Sequence, residues 1–363
     1  MTEPVAERTS EPVAEQKAER THAIGLIPGD GIGPEVVDEA MRVLVAAGAA
    51  EGFTLETTNY DLGADRYLRT GEILPATVLE ELPSQEAVLM GAVGDPRVAP
   101  GVLEGGLLLE LRQRLDLYIN LRPSTLFEGV PSALGGVGAG DVDLTIVREN
   151  TEGLYCRRGE LSADGQSATE LSINTAASIR RCVEYAFALA QGQGARQPRS
   201  LTLVHKKNVL ERAGGLWQRI FDEVAASYPD VPTGYQHVDA CALLLVTQPR
   251  RFQVIVTDNL FGDILSDLAA GLVGGIGLVG SGNLRPGAVS IFEPVHGSAP
   301  DIAGTGKANP IGAVISAALM LRHIGEDAGA ARIEAAVASV AGKVAGTDAT
   351  TRQIGDALVE AVS

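Results

Sequence analysis

Short apolar runs of strand length alternate with longer stretches of helical periodicity along almost the whole chain, and this alternation constrains the fold most. Residues 23–27, 87–93, 115–121, 142–147, 201–204 and 253–257 read as strands. Helical spacing of apolar residues covers 36–47, 175–190, 216–226 and 259–272. Elements that alternate in this way predict an α/β protein in which helices cover sheets. With 363 residues the chain can bury one large core or two ordinary ones.

The balance of 29 Lys and Arg against 46 Asp and Glu leaves a formal charge of −17, which argues against a nucleic-acid partner. No apolar run reaches the roughly 18 residues that a membrane crossing needs. Residues 1–22 are polar and acidic and echo themselves in Glu3-Pro4-Val5-Ala6-Glu7 and Glu11-Pro12-Val13-Ala14-Glu15. They read as a disordered tail with no secretory signal, and partner docking is the alternative. Cys156, Cys182 and Cys241 are too scattered for a disulfide framework or a zinc cluster, so buried, reduced thiols in a cytoplasmic protein are expected.

The first strand runs into Pro28-Gly29-Asp30-Gly31-Ile32-Gly33-Pro34-Glu35, where Pro34 suits the first turn of a helix. The spacing is not G-x-G-x-x-G, so a Rossmann reading is rejected and cofactor binding must rest on other residues. In the segment 258–267, Asp263 and Asp267 stand four apart beside a stripe formed by residues 260, 261, 264, 265 and 268. Like charges at that spacing cost a helix roughly 0.2–0.5 kcal/mol, so a compensating Mg²⁺ or Mn²⁺ is attractive; a solvated acidic face is the alternative. Arg112, Arg122 and Arg148 each sit at an element edge. Their planar forks suit a dicarboxylate, although each by itself is more often a surface salt-bridge residue. Tyr155 and Lys206 complete the set as groups able to exchange protons with a substrate when burial tunes them.

Five motifs in order carry a family resemblance: residues 27–35, Asn120-Leu121-Arg122-Pro123, Arg148-Glu149-Asn150-Thr151-Glu152-Gly153, the 258–267 segment, and Phe292-Glu293-Pro294-Val295-His296-Gly297-Ser298-Ala299-Pro300-Asp301-Ile302-Ala303-Gly304. From Ile24 onward the chain resembles the β-decarboxylating dehydrogenases that act on isocitrate, isopropylmalate, homoisocitrate, tartrate or D-malate. The resemblance implies a non-Rossmann fold of two α/β domains, one built from residues 23–118 and 274–363 and the other, carrying substrate, metal and dimer contacts, from 119–273. It implies a homodimer with shared active sites, in which Asp239 and Lys206 cross over from the other subunit. Asp239, Asp263 and Asp267 would hold Mg²⁺ or Mn²⁺, with Asp239 also near the substrate. Arg112, Arg122 and Arg148 would bind substrate carboxylates. Lys206 would help to remove the hydroxyl proton and Tyr155 would protonate carbon.

The same likeness places a dinucleotide at Ile32, Glu293, His296, Gly297, Ser298, Ala299, Asp301, Ile302, Ala308 and Asn309. Members that use NADP carry Lys-Tyr at the Asp301-Ile302 positions; a carboxylate there accepts ribose hydroxyls and repels a 2′-phosphate, which implies NAD. Isocitrate enzymes place Ser and Asn six and four residues before the arginine, where this chain has Gly106 and Leu108. Leu108, Leu109 and Val209 resemble an isopropyl pocket, and a carboxylate buried unpaired there would cost several kcal/mol. The implied reaction is oxidative decarboxylation of a 3-alkylmalate, most closely 3-isopropylmalate to 4-methyl-2-oxopentanoate in leucine biosynthesis. Asn150 and Leu154 lean towards homoisocitrate and tartrate enzymes, so a paralogue for another hydroxy acid stays open. A catalytically silent subunit is the reading from a different class, and a lost metal aspartate, Tyr155 or Lys206 would mark it.

Overall fold

A computed structural model describes residues 20–192 and 198–363, so positions 1–19 of the expected tail lie outside the described residues. The expected end of that tail at His22 is corrected, because strand β1 (Arg20–Ile27) begins three residues before position 23. Polar residues extend the strand because each finds a partner. Arg20 donates to the Glu51 carbonyl at 2.9 Å, and Thr21 meets Thr54 hydroxyl to hydroxyl at 2.9 Å.

Helix α1 (Gly33–Glu51) carries Pro34 in its first turn and stops at Gly52, whose φ of 78° is left-handed. Then come β2 (Phe53–Asn59), α2 (Ala64–Thr70), α3 (Ala76–Glu81) and β3 (Ala87–Met90). Strand β3 ends three residues short of the expected 93, and Gly91 then packs against the Pro28 carbonyl. A π-helical turn, Glu104–Leu108, leads into α4 (Leu109–Arg114). The strand expected at 115–121 is displaced to β4 (Ile119–Thr125), since Leu115 still caps α4 and Asp116 takes a positive φ of 51°.

The middle of the chain supplies β5 (Asp143–Glu149), the hairpin β6 (Gly159–Leu161) and β7 (Ala168–Glu170), α5 (Ala176–Gln191) and β8 (Leu201–His205). Next, α6 (Glu211–Ala225) starts well before the expected 216, because Gly214 and Gly215 weaken the helical signal. Gly214 is needed there: a Cβ would lie 2.5 Å from the Lys207 Cα. The remaining elements are β9 (Thr233–His237), α7 (Val238–Thr247), β10 (Val254–Thr257), α8 (Asn259–Leu272), β11 (Gly280–Leu284), β12 (Ile291–Pro294), α9 (Ile311–His323), α10 (Asp327–Val344) and α11 (Thr351–Val362). The expected apolar stripe of α8 is corrected as well. Its buried face runs through Asn259, Gly262, Leu265, Ser266 and Ala269, and Ile264 is exposed.

One sheet joins ten strands in the order β2-β1-β3-β12-β11-β4-β5-β10-β8-β9. Its outer parts are parallel, whereas β12, β11, β4 and β5 pair antiparallel at the centre. Strands from residues 20–118 and 274–363 lie on one side of the β11–β4 junction, and those from 119–273 on the other. Strand β11 reads Gly-Ser-Gly-Asn-Leu and is wholly buried, so hydropathy gives no sign of it. The small residues admit α9: a Cβ on Gly280 would lie 2.6 Å from the Ser316 amide. Cys182 and Cys241 are buried as expected, whereas Cys156 is partly exposed and bonds the Leu171 carbonyl. Among the described residues no helix is long and apolar enough to cross a membrane.

Near the start of β1, His22 lies between Glu86 and Glu326, each 2.9 Å from one ring nitrogen. Burial disfavours the imidazolium, but the two glutamates outweigh it and raise the His22 pKa above its ordinary 6.5. A raised histidine stabilises the fold fully below pH 6.5, and that contribution fades as pH rises through the folded-state value. His22→Gln should therefore lower the thermal midpoint more at acid pH than at alkaline pH. Parallel melting curves across that range check it, and an equal loss at both ends would contradict it.

Candidate active site

Three arginines converge where the two halves of the sheet meet. Arg112 comes from α4, Arg122 from β4 and Arg148 from β5, and they are 4%, 7% and 1% exposed. Arg122 lies inside its strand and not after it, so β4 itself carries the guanidinium into the site. Burial pushes Arg112 below its ordinary value, against the pull of Glu293. Burial, with repulsion from Arg148 and Arg112, pushes Arg122 down to about 10. At about 10, Arg122 still carries its charge near neutrality, and a buried cation of this kind needs anionic or hydrogen-bonding partners.

Their protein partners are few. Arg112 reaches Glu293 at 3.4 Å, and Arg122 lies 3.7 Å from Asp267. Arg148 donates twice to the Asn259 Oδ1, at 2.9 and 2.7 Å, and ion-pairs with Asp263. Gly262 makes this possible: a Cβ there would lie 2.5 Å from the Arg148 Cγ. The Asp258 side chain caps the start of α8 by accepting from the Phe261 amide at 2.9 Å, and the helix presents Asp263 and Asp267 one turn apart.

Tyr155 joins the cluster through its hydroxyl, which donates to the Asp263 Oδ2 at 2.7 Å, while Arg148 lies 5.0 Å over its ring. Burial and the Asp263 contact raise its pKa, so the phenol holds its proton at neutral pH. Burial opposes charge on Asp263, yet Arg148, the Tyr155 bond and Arg122 outweigh it and hold the carboxyl below its usual range. The turn that delivers Tyr155 is locked by buried Glu149, which accepts from the Thr151 and Glu152 amides and the Ser178 hydroxyl.

A cavity of about 160 Å³ lies among Arg112, Arg122, Leu108, Glu104, Glu293 and His296. It adjoins an open cleft of about 580 Å³ edged by Gly94, Asp95, Gly297, Ser298 and Pro300. The glycine-rich turn of residues 28–35 packs against Ala92, which lines the cavity, and Ser298, which lines the cleft. Gly31 takes a φ of 57°, and a Cβ there would lie 2.0 Å from the Ser298 carbonyl. The Ile32 amide donates to that carbonyl at 2.8 Å. Buried Asp30 accepts from the amides of Ala64 and Gly94, fixing the near wall.

Among the other dinucleotide candidates, burial lowers the His296 pKa, so the ring is neutral at pH 7. Its Nδ1 faces the Gly297 carbonyl at 3.0 Å, and its Nε2 is buried without a protein partner, as is the Arg112 Nε. Orphaned polar atoms beside a cleft fit a polar ligand such as a dinucleotide. Ala299 takes a positive φ of 38°, Asp301 is exposed and Ile302 is half-buried. The Ala308 carbonyl accepts from Thr351 at 2.7 Å, and the Asn309 side chain accepts from the Ile311 amide at 3.0 Å.

Other expected residues stand apart from the cavity in a single chain. Lys206 follows β8 and pairs with Asp239, in the first turn of α7, at 2.6 Å; the hydrogen bond from Lys206 holds Asp239 below the usual carboxylate range. Among the described residues of one chain no three His, Cys, Asp or Glu side chains form a metal-holding group. Leu108 lines the cavity, Leu109 is half-buried beside it, and Val209 is 66% exposed. Sequence reasoning passed over Asn120, Asn259 and Asn283, which bond the arginines or Glu293. Asn120 and Arg122 are two apart on one strand and share a face, a signal that was available.

Comparison with known proteins agrees with this geometry. Residues 23–361 match the model of the isocitrate/isopropylmalate dehydrogenase family. The 3-isopropylmalate dehydrogenase of Thermobifida fusca (strain YX) is 52% identical over 95% of this chain and 98% of its own length. That of Nocardia farcinica (strain IFM 10152) is 54% identical over 93% of this chain and 99% of its own. Among solved structures, the isocitrate dehydrogenase of Methylococcus capsulatus superposes with a TM-score of 0.83 at 40% identity, covering 94% of this chain and 99% of that one. The chain belongs to the isocitrate/isopropylmalate dehydrogenase family, shares its mixed α/β fold, and is a dehydrogenase by descent.

Proposed function

We propose that the chain oxidatively decarboxylates 3-isopropylmalate to 4-methyl-2-oxopentanoate, a step of leucine biosynthesis, using NAD and Mg²⁺ or Mn²⁺. The observation that carries this reading is the pair of buried arginines, Arg112 and Arg122, lining one small cavity with apolar Leu108. Cationic forks grip carboxylates, and a leucine lining the same cavity favours an alkyl branch over a third carboxylate. The names of the relatives from Thermobifida fusca and Nocardia farcinica support the same substrate.

Asp263, Asp267 and Asp239 would hold the metal, and the loop from His296 to Ile302, with Ile32, Glu293, Ala308 and Asn309, would hold the dinucleotide. When bound, the dinucleotide accepts hydride and the metal acts as a Lewis acid. Arg112, Arg122 and Arg148 orient the two carboxylates. Lys206 takes the hydroxyl proton, and Tyr155, protonated at neutral pH, delivers one to carbon. The chain divides into domains of residues 20–118 plus 274–363 and 119–273, with the site between them. Two copies pair to complete it, so that Lys206, Asp239 and Val209 reach the partner's cavity. The exposed Leu243, Val246 and Ile264 on α7 and α8 support such a pairing face.

A panel of 3-isopropylmalate, homoisocitrate, isocitrate, D-malate and tartrate with NAD and Mn²⁺ tests the substrate. The expected result is preferred turnover of 3-isopropylmalate that vanishes on chelation of the metal, and preference for isocitrate would overturn it. Replacing Asp301 with Lys and Ile302 with Tyr should shift preference towards NADP, read as the ratio of kcat/KM for the two cofactors. Gly262→Ala should push Arg148 aside and lower kcat/KM by roughly ten- to a hundredfold, given how steeply catalysis depends on placement. Steady-state kinetics beside a thermal melt separates that loss from misfolding.

A further inference from the structure

A directed chain of buried hydrogen bonds links the two arginines of the cavity. The Arg122 Nε donates to the Asn120 Oδ1 at 2.8 Å. The Asn120 Nδ2 donates to the Asn283 Oδ1 at 3.0 Å, and the Asn283 Nδ2 donates to the Glu293 Oε1 at 2.8 Å. The same carboxylate oxygen receives Arg112 at 3.4 Å. Asn150 adds a second donor to the Asn283 Oδ1 at 3.0 Å. Neither amide orientation is free: an arginine can only donate to Asn120, and an ionised carboxylate can only accept from Asn283. Every donor therefore points from Arg122 towards Glu293, and bonds aligned in this way strengthen one another in a low dielectric.

We propose that Asn283 is a positioning residue for substrate binding, whose amide sets Glu293 and Asn120 and through them the placement of Arg112 and Arg122. Its place at the centre of the sheet suits this role. It is wholly buried on β11, directly opposite Asn120 on β4, and the β11–β4 pairing joins the two halves from which the two arginines come. The Asn283 bond to Glu293, at 2.8 Å, is the shorter of that oxygen's two contacts, the other being Arg112 at 3.4 Å. An apolar residue would fill the strand but leave the Asn120 Nδ2 without its acceptor and Glu293 with only the 3.4 Å contact to Arg112, at a cost larger than the loss of an exposed hydrogen bond.

The inference rests on reading Arg112 and Arg122 as the carboxylate-binding pair, so the unaltered chain is assayed first with 3-isopropylmalate, NAD and Mn²⁺. Absence of turnover there would overturn the substrate reading, and the inference with it. Given turnover, KM and kcat are measured for Asn283→Leu and Asn283→Asp between about pH 6 and about pH 9, where a buried carboxyl changes charge. Asn283→Leu should raise KM for 3-isopropylmalate by about tenfold or more, the scale of a lost bond to a charged group, with a smaller change in kcat. Asn283→Asp should match the unaltered KM most closely at the acid end, where a protonated carboxyl donates to Glu293 as the amide does. Its KM should climb relative to the unaltered chain as the new carboxyl ionises against Glu293. A merely structural role would lower kcat through lost folded enzyme and leave KM unmoved at every pH. That pattern, or a KM within about twofold of the unaltered chain in both variants, would overturn the proposal.

Discussion

Three guanidinium groups buried within reach of one another are the constraint around which this molecule is arranged. A buried cation costs several kcal/mol unless it is paired and hydrogen-bonded, and like charges add to that cost. The surroundings meet the requirement with few groups: Glu293 from β12, Asp263 and Asp267 from α8, and the amides of Asn120 and Asn259. Compensation is incomplete: the Nε of Arg112, a residue that lines the cavity, has no hydrogen-bond partner. The three cations are gathered locally in a protein whose overall charge is −17.

The architecture follows from delivering those groups to one place. Parallel strands flank an antiparallel centre, and the centre carries Arg122 and Asn120 on β4, Arg148 on β5, Asn283 on β11 and Glu293 on β12. A polar centre in a large sheet is tolerable because the side chains satisfy one another across adjacent strands. Small residues then let covering elements approach. Gly280 of β11 admits α9, and Gly262 admits the stem of Arg148. The glycine-rich turn after β1 plays a packing part, holding Ser298, which lines the cleft.

Much of this was legible from the chain. The alternation of elements announced an α/β protein, and most expected strands and helices fall where periodicity put them. The misplacements share a cause: local chemistry that hydropathy does not register. Asp116 ends α4 with a positive φ and displaces β4, two glycines hide the first turn of α6, and polar partners extend β1 back to Arg20. Strand β11 escaped notice because it is buried without being apolar.

The sequence by itself determined the family, through five ordered motifs, and named the arginines, the α8 aspartates, Tyr155 and the His296 loop as groups for one kind of chemistry. Only the tertiary structure decided which of them meet. It brought Arg112, Arg122 and Glu293 around one cavity, set Tyr155 on Asp263, and paired Lys206 with Asp239 away from that cavity. It also revealed Asn283 as the link between the arginines. The physical reason is that burial, hydrogen-bond partnership and charge repulsion depend on strands distant in the chain becoming neighbours, and residue spacing carries no record of that pairing.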